Sequence, residues 1–434
     1  MPRRPPTADD LELMRGAPPF APERRVTLAN WQDPPFNRWG FQHVRDLIPT
    51  ARIPRGDRPW RLAREEIDLD GAVVRAARRR ISVRRFLDET YTDGFLVLHR
   101  GRIVYERYFN GLTPEATHLL MSVSKSVTST VVGILVGRGA LSPSDLVTAH
   151  VPELVGTSFD GCTVRHLLDM RAGTRFDEDY DNVDADVRVY EQVYLWRPRT
   201  RSDLPPDATS YFATLVNARE HGGPFEYRSI LTDVLGWVAE RAGGARLADL
   251  IANELWRPMG AEFDAEVTVD AHGNAMADGG ICCTLRDLAR FGLLMARRGR
   301  RGRDRIVPEA WIDDTLTPDP DSVEAFGSDP DARDLPPGAY YRNQWWVASA
   351  SRPTYYGSGI NGQFVLVDGP TDVVVAKLST WPEAFSNDYF VPMFTACMDL
   401  ARQLGGRRSV AGVTAPPGAG NRRRRSDRGR RAGR

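Results

Sequence analysis

A chain of 434 residues with 41% apolar content is long enough to bury a sizeable hydrophobic core. Its net charge of +1 is unevenly spread: residues 407–434 hold ten arginines and one aspartate, so the preceding chain is mildly acidic. The N-terminal region has no apolar run long enough for a signal peptide or a membrane span, which predicts a cytoplasmic protein without membrane contact. The four cysteines follow no metal-ligand spacing, so no metal or cofactor is predicted.

The chain begins with a segment of irregular pattern and then enters regular structure. Residues 1–85 are predicted to form a wrapping arm, because their first part is rich in proline, arginine and tryptophan without a clear period. Residues 94–99 and 102–108 have the composition of two strands, and Arg100-Gly101 between them predicts a hairpin.

A buried helix is predicted from Val127, because apolar residues recur at helical spacing up to Gly137. Residues 161–280 have helical patterns and loops, which predict an all-α lobe. Strand patterns return near the end, at residues 363–368 and 373–378.

These elements predict an α/β (α+β) fold, in which residues 86–160 and 281–405 form the body and the helical lobe is inserted between them. Residues 406–434 are predicted to be a disordered, arginine-rich tail. Such a tail could contact nucleic-acid phosphates, but the composition favours a solvated tail over a nucleic-acid partner.

Lysine usage draws attention to one position. Lys125 and Lys377 are the two lysines among 58 basic residues. Arginine supplies charge elsewhere, so a retained lysine suggests a group that must lose its proton. The alternative is that genomic base composition produced the arginine excess, and Lys377 fits it because that residue lies in an apolar strand-like run with no nucleophile beside it in sequence.

Lys125 follows Ser122 by three residues, so both lie on one face of a helix. If the amine is buried at the positive end of the helix, desolvation and the dipole favour its neutral form, which can accept the seryl proton. Tyr227, just before a second amphipathic helix, could pass that proton to the leaving group. The sequence therefore predicts a nucleophile, a base and a proton relay.

With Ser122-Val-Ser-Lys125 and Tyr227-Arg-Ser229, the chain resembles the superfamily of serine β-lactamases and penicillin-binding proteins. That resemblance implies an antiparallel sheet flanked by helices, the fold of β-lactamases and D,D-peptidases. Residues 121–126, 173–180 and 359–363 are similar to the 6-aminohexanoate-dimer hydrolase branch, over about residues 25–405.

The branch resemblance implies roles for two further residues. Tyr180 matches a tyrosine that assists at the amide nitrogen. The backbone N–H groups of Ser122 and Ile360 match an oxyanion hole.

At the third superfamily motif this chain reads Tyr356-Gly-Ser-Gly359, without the cation that would hold a β-lactam carboxylate. This difference disfavours penicillin as the substrate.

Two further residues are predicted to contact a substrate. Asp181 belongs to an acidic run, residues 177–186, that is typical of a solvated loop but could attract a substrate ammonium group beside Tyr180. Trp345 could line the pocket, although an aromatic pair is also typical of a core.

The predicted function is a serine hydrolase that cleaves small esters or linear amides through an acyl-enzyme on Ser122. Two alternatives stay open at this stage. One is a β-lactamase or D,D-peptidase; the other is a catalytically silent binding protein that uses its basic tail for a partner. Oligomeric state and natural substrate cannot be predicted from these patterns.

Overall fold

The computed structural model describes residues 4–327, 335–349 and 351–406. Sixteen strands are numbered within this part of the chain. They are β1 (Thr50–Ile53), β2 (Ala63–Arg64), β3 (Val73–Ala76), β4 (Arg79–Ser82), β5 (Thr92–His99), β6 (Arg102–Tyr108), β7 (His118–Leu119), β8 (Ala265–Thr268), β9 (Ile281–Cys283), β10 (Arg300–Arg301), β11 (Asp304–Arg305), β12 (Tyr340–Arg342), β13 (Trp345–Ser349), β14 (Thr354–Gly359), β15 (Gln363–Asp368) and β16 (Val373–Ser379).

The helices differ widely in length, and a π-helical turn, Ile251–Trp256, joins the ninth to the tenth. They are α1 (Asn37–Gly40), α2 (Val83–Glu89), α3 (Val123–Gly137), α4 (Val147–His150), α5 (Val164–Leu168), α6 (Asp186–Val193), α7 (Ala208–Phe212), α8 (Ile230–Gly243), α9 (Leu247–Leu250), α10 (Arg257–Met259), α11 (Leu285–Ala296), α12 (Glu309–Thr315), α13 (Ser322–Gly327) and α14 (Asn387–Gly405).

The main sheet has eight strands in the order β12-β13-β14-β15-β16-β5-β6-β2. Its neighbouring strands pair antiparallel, except β2, which runs parallel to β6. Strands from both ends of the sequence meet in its centre, where Val375 of β16 lies opposite Val97 of β5. The two halves of the predicted body therefore form one sheet.

Both faces of the main sheet are covered, because successive side chains of a strand point to opposite sides. On β5, Leu96 and Leu98 join the core on one face, whereas Phe95 and Val97 join a second core on the other. Helix α11 packs on the first face, and α14 packs on the second. Burial of each such side chain contributes roughly 1.5–3 kcal/mol.

Helix α3 packs against β14 of the main sheet and against α8 of the helical region, so its N-terminus lies between these two layers. Thirteen of its fifteen residues are buried. A helix buried on nearly every side positions its first turn rigidly.

The predicted hairpin is confirmed, because β5 pairs with β6. The two strands predicted near the end of the chain, β15 and β16, are also present and pair with each other. The predicted buried helix is also confirmed and begins four residues earlier than its apolar period indicated, at Val123.

The prediction of an all-α segment over residues 161–280 is wrong in one respect, because this segment contains β8. That strand belongs to a second sheet with the order β1-β8-β9-β7. Short strands with one or two neighbours are weakly marked in a sequence, since their pairing partners are distant.

Residues 1–85, predicted to be a wrapping arm, supply strands β1 to β4 and also contact distant parts of the chain. The indole nitrogen of Trp31 donates to the carbonyl of Trp196 at 2.7 Å, and the side-chain amide of Asn37 donates to the carbonyl of Trp381 at 2.9 Å. Of the predicted tail, residues 406–434, only Gly406 falls within the described residues. Among the helices described, none has both the length and the apolar character that crossing a membrane requires.

Candidate active site

Ser122 lies immediately before the first residue of α3, and the backbone amides of Val123 and Ser124 donate to the carbonyls of Leu120 and Met121. The preceding residue, Met121, has a positive φ of 46°, a conformation that costs a non-glycine residue of order 1–3 kcal/mol. This tight turn places the Ser122 hydroxyl at the edge of a cavity while the rest of α3 stays in the core.

Lys125 lies one helical turn further on and is almost completely buried. Its ammonium nitrogen Nζ lies 2.8 Å from Ser122 Oγ and 2.9 Å from Ser229 Oγ. Nζ also donates to the main-chain carbonyl of Asp278 at 3.2 Å. The predicted serine and lysine therefore lie in contact, as their three-residue spacing indicated, and three hydrogen bonds hold the lysine in the core.

Tyr227 and Ser229 reach the same place from the segment just before α8. The Tyr227 ring lies over Lys125, with 5.1 Å between Nζ and the ring centroid. Burial raises the pKa of the Tyr227 phenol, while the charge of Lys125 and hydrogen bonds with Ser122 and Lys125 oppose that rise. The predicted relay residue thus contacts both the predicted nucleophile and the predicted base.

Glu178, which belongs to the run predicted to be a solvated acidic loop, also lies at this site. Its carboxylate accepts hydrogen bonds from the Tyr180 hydroxyl at 2.9 Å, from the Ser229 amide at 2.6 Å and from the Ser229 hydroxyl. The signal available in the sequence was its two-residue spacing from Tyr180, which puts both side chains on one side of an extended segment.

The predicted neutral state of Lys125 is contradicted by the groups around it. Burial by itself lowers the pKa of this ammonium group. The negative field of its surroundings outweighs burial and raises the pKa; the main contributors are Tyr227, Asp278 and Glu178. These groups therefore favour the ammonium form of Lys125 in the resting site, contrary to the prediction from burial and the helix dipole.

Two buried carboxyl groups lie beneath this ammonium ion. Asp278 Oδ2 is 3.5 Å from Lys125 Nζ. The Asp278 amide donates to Asp233 Oδ1 at 3.1 Å, and Tyr190 donates to Asp233 Oδ2 at 3.2 Å. Burial, reinforced by the neighbouring Asp278, raises the pKa of Asp233 well above its usual range.

The other lysine has a different environment. Lys377 is fully buried on β16 and donates to the carbonyl of Thr90 at 3.1 Å and to the hydroxyl of Ser379. Burial lowers its pKa to about 7. These contacts fit the interpretation of Lys377 as a strand residue, because they satisfy its ammonium group within the core.

Ile360 follows the end of β14 and lines the same cavity as Ser122. A side chain on Gly359 would approach the Ser122 amide nitrogen to 2.9 Å and the Leu120 carbonyl to 2.8 Å, so only glycine fits there. Asn361 has a positive φ of 57° and is fixed by its own side-chain amide, which donates to the carbonyl of Trp381 at 2.9 Å. The segment around Ile360 is thus held against the start of α3.

A cavity of about 280 Å³ opens beside Ser122. Its lining is mainly aromatic and apolar, and Glu178 is its one charged residue among those the structure describes. The lining comprises Ser122, Glu178, Tyr180, Tyr227, Leu335, Trp346, Tyr356, Ser358, Gly359, Ile360, Trp381, Phe385, Asn387 and Phe390.

The tryptophan in this lining is Trp346, which corrects the prediction for Trp345. Trp346 stacks on Tyr227 with ring centroids 5.5 Å apart. Trp345 is fully buried on the opposite face of β13 and stacks on Phe291. Adjacent side chains of a strand point to opposite faces, and the sequence alone did not indicate which of the two tryptophans faces the cavity.

Asp181 lies outside this cavity, in an adjoining groove of about 790 Å³ that shares Tyr180 and Ile360 with it. Its side chain is exposed and forms no ion pair with any other described residue. Arg188, also in the groove, is engaged by Glu191 and by the Tyr180 carbonyl. The groove therefore presents an unneutralised carboxylate next to the inner cavity.

Comparison with known proteins identifies the family. Residues 83–389 match the family model described as Beta-lactamase. The chain belongs to the β-lactamase family. This family member is 37% identical to the 6-aminohexanoate-dimer hydrolase of Paenarthrobacter ureafaciens over 386 residues, which cover 89% of this chain and 96% of that protein.

Solved structures agree with this assignment. A Bacillus anthracis protein described as a 6-aminohexanoate-dimer hydrolase superposes with a TM-score of 0.80 at 25% identity, covering 88% of this chain and 97% of that one. A Bacteroides dorei protein described as a β-lactamase gives a TM-score of 0.59 at 19% identity, over 75% and 97% of the two chains, and bears on the fold alone. The predicted β-lactamase-like fold is confirmed, and this β-lactamase-family chain is a hydrolase.

Proposed function

We propose that this hydrolase cleaves small esters and linear amides through a covalent acyl-enzyme on Ser122. One observation carries the proposal: Lys125 Nζ lies 2.8 Å from Ser122 Oγ, with Tyr227 in contact with both. This is the arrangement of a nucleophile with an adjacent base and a relay group.

Lys125 and Tyr227 act as one acid-base pair. The pair becomes competent when it has lost one proton, whether as amine beside phenol or as ammonium beside phenolate. Ser122 Oγ then forms a bond to the substrate carbonyl carbon while its proton passes to the pair. The bond from carbon to the leaving oxygen or nitrogen breaks, and Tyr227 gives the proton to that atom. Water then adds to the acyl carbon in the same way and gives a proton to the pair; the bond to Ser122 Oγ breaks, Oγ takes a proton back, and the carboxylic acid is released.

The developing oxyanion needs donors that are fixed before reaction. The backbone N–H groups of Ser122 and Ile360 are assigned that role, because Gly359 lets the two segments approach closely. Any side chain at position 359 would press on the Ser122 amide.

The lining of the inner cavity favours uncharged, apolar substrate portions of modest size, since aromatic residues bury apolar surface well. A β-lactam carries a carboxylate that needs a cation, and the described residues of the lining supply none. Small esters and linear amides, such as the 6-aminohexanoate dimer named for the relative, are therefore preferred over penicillins.

The test is intact-protein mass after exposure to a fluorophosphonate, combined with turnover of p-nitrophenyl butyrate and of 6-aminohexanoate dimer. We expect one adduct, located on the peptide that contains Ser122, and turnover of the ester. A fluorescent penicillin is expected to leave no adduct. A chain that takes up no fluorophosphonate would instead be a silent binding protein.

Replacing Asp278 by asparagine should shift the pH dependence of catalysis. The exchange removes a negative charge 3.5 Å from Lys125 but keeps the main-chain carbonyl bond. Without that charge the protonated pair is less stable and loses its proton more readily, so the acid limb of kcat/KM should move to lower pH by about one unit. The measurement is kcat/KM for p-nitrophenyl butyrate from pH 5 to 10. Asp181→Asn is the control and should leave the limb in place.

Replacing Asp181 by asparagine should weaken binding of amino-terminated substrates. Its exposed carboxylate attracts an ammonium group through solvent, so KM should rise by roughly two- to fivefold for such substrates and stay constant for neutral esters. The increase should shrink at high salt, because exposed charges are screened. Equal changes in KM for both kinds of substrate would contradict this role.

A further inference from the structure

Glu178 is held by three hydrogen bonds whose directions can be worked out from their partners. Lys125 has only hydrogens to give, so Ser229 Oγ accepts from it at 2.9 Å. The hydrogen of the Ser229 hydroxyl therefore points to Glu178. The Ser229 amide donates to the second oxygen of the carboxylate. Burial raises the pKa of Glu178, whereas the charge of Lys125 and the hydrogen bonds from Ser229 and Tyr180 oppose that rise. As a carboxylate, Glu178 accepts all of these bonds and donates none.

The same reasoning fixes Tyr180. Its hydroxyl hydrogen is used in the 2.9 Å bond to Glu178 Oε1. What remains on its oxygen is lone pairs, and Tyr180 lines the cavity beside Ser122 and Tyr227. Tyr180 therefore offers the cavity a hydrogen-bond acceptor and cannot act as a donor while Glu178 holds its hydrogen.

We propose that Glu178 is a positioning residue that fixes Tyr180 as an acceptor and thereby makes the site selective for secondary amides. The inference rests on the proposed function, because it concerns the nitrogen of the bond that Ser122 cleaves. Neither oxygen of an ester group carries a hydrogen, and neither does the nitrogen of a tertiary amide. A secondary amide has one N–H, which can donate to Tyr180.

That hydrogen bond helps at one stage of the reaction. When Ser122 has added to the carbonyl, the nitrogen becomes tetrahedral and its lone pair needs a proton before the carbon–nitrogen bond can break. A bond from the N–H to Tyr180 fixes the orientation of the nitrogen, so that its lone pair can accept the proton that Tyr227 supplies. The contribution is one of orientation, which raises the rate only for a group that has the hydrogen.

Glu178→Gln tests the proposal, since glutamine keeps the shape and can still accept from the Ser229 amide. Its NH₂ group would face Tyr180 and donate to it, so Tyr180 would turn its own hydrogen toward the cavity. Three substrates with one acyl group are compared: a secondary anilide, its N-methyl derivative and an aryl ester. We expect kcat/KM for the secondary anilide, relative to the ester, to fall about tenfold or more.

Glu178→Gln also removes a negative charge near Lys125, and that change affects the ester and the anilide alike. Dividing kcat/KM for the anilide by kcat/KM for the ester therefore isolates the effect on the amide N–H. The ratio for the N-methyl anilide should stay constant. Each variant is measured on the pH plateau of its own kcat/KM profile.

A double-mutant cycle with Tyr180→Phe separates positioning from damage to the fold. If Glu178 acts through Tyr180, Glu178→Gln should lower the amide-to-ester ratio in the wild type and leave it unchanged in Tyr180→Phe. A ratio that falls equally in both backgrounds would overturn the inference, as would equal losses for the anilide and its N-methyl derivative. A wild type that labels at Ser122 and cleaves the ester but not the anilide also overturns it, while the serine-hydrolase proposal stands. A wild type that does not label overturns the proposed function itself.

Discussion

Ser122→Ala should abolish both fluorophosphonate labelling and ester turnover. Ser122 lines the cavity, and its Oγ is 2.8 Å from Lys125 Nζ. The Ser229 hydroxyl is 2.9 Å from the same nitrogen but donates to Glu178, so replacing Ser122 leaves no seryl hydroxyl beside Lys125 in the described lining of the cavity. We expect kcat/KM to fall by about 10⁴-fold or more, and any residual activity to come from substrate binding and oxyanion contacts alone. The measurements are intact mass after labelling and p-nitrophenyl butyrate hydrolysis.

Ser126→Ala is the matched control for this experiment. Ser126 lies one turn further along the same helix, is buried, and donates to the carbonyl of Gln344 at 2.9 Å. Its loss should cost about 1 kcal/mol of stability and leave the label on Ser122. If labelling persisted in Ser122→Ala, the nucleophile would be another residue; if both variants lost it, the result would reflect unfolding.

The sequence predicted those parts of the site that depend on local spacing. Ser122 and Lys125 meet because residues three apart lie on one face of a helix. The segment of Tyr227 precedes a helix whose apolar period was visible. The hairpin of β5 and β6 followed from composition and a two-residue turn. Each of these depends on neighbours within about twenty residues, where periodicity is informative.

The parts that the sequence did not predict depend on distant contacts. Glu178 faces the cavity because its loop closes on Ser229, 51 residues later, and nothing in an acidic run indicates that closure. Asp278 approaches Lys125 across 153 residues. The pKa of Lys125 is raised by Tyr227 and by these two carboxylates, whereas desolvation, the effect that the sequence suggested, lowers it and therefore predicted the wrong protonation state.

Strand phase was a second source of error. Trp345 and Trp346 are adjacent, and one must face the core while the other faces the cavity. The register of β13 determines which tryptophan faces the cavity, and the tertiary packing of β13 determines that register.

Lys125→Arg should produce the second large loss. Arginine keeps the positive charge that the surrounding carboxylates demand, but its guanidinium stays protonated at any pH the protein survives. The pair with Tyr227 could then lose a proton only from the phenol, and the larger head group would displace Ser229 from its 2.9 Å contact. We expect kcat/KM for ester hydrolysis to fall by about 10²–10⁴-fold, the range of a lost general base.

Lys377→Met is the matched control, because it changes the other buried lysine, which lies on β16 and is held by the Thr90 carbonyl. It should lower thermal stability and retain turnover with an unchanged acid limb. If instead Lys125→Arg kept its turnover, the seryl proton would be accepted by Tyr227 alone, and Lys125 would act only as a fixed charge that favours the phenolate. The pH dependence of kcat/KM in Lys125→Arg tests this second possibility. If the Tyr227 phenolate is the base, adding Asp278→Asn to Lys125→Arg should still move the acid limb to lower pH, because the exchange removes a negative charge near the phenol.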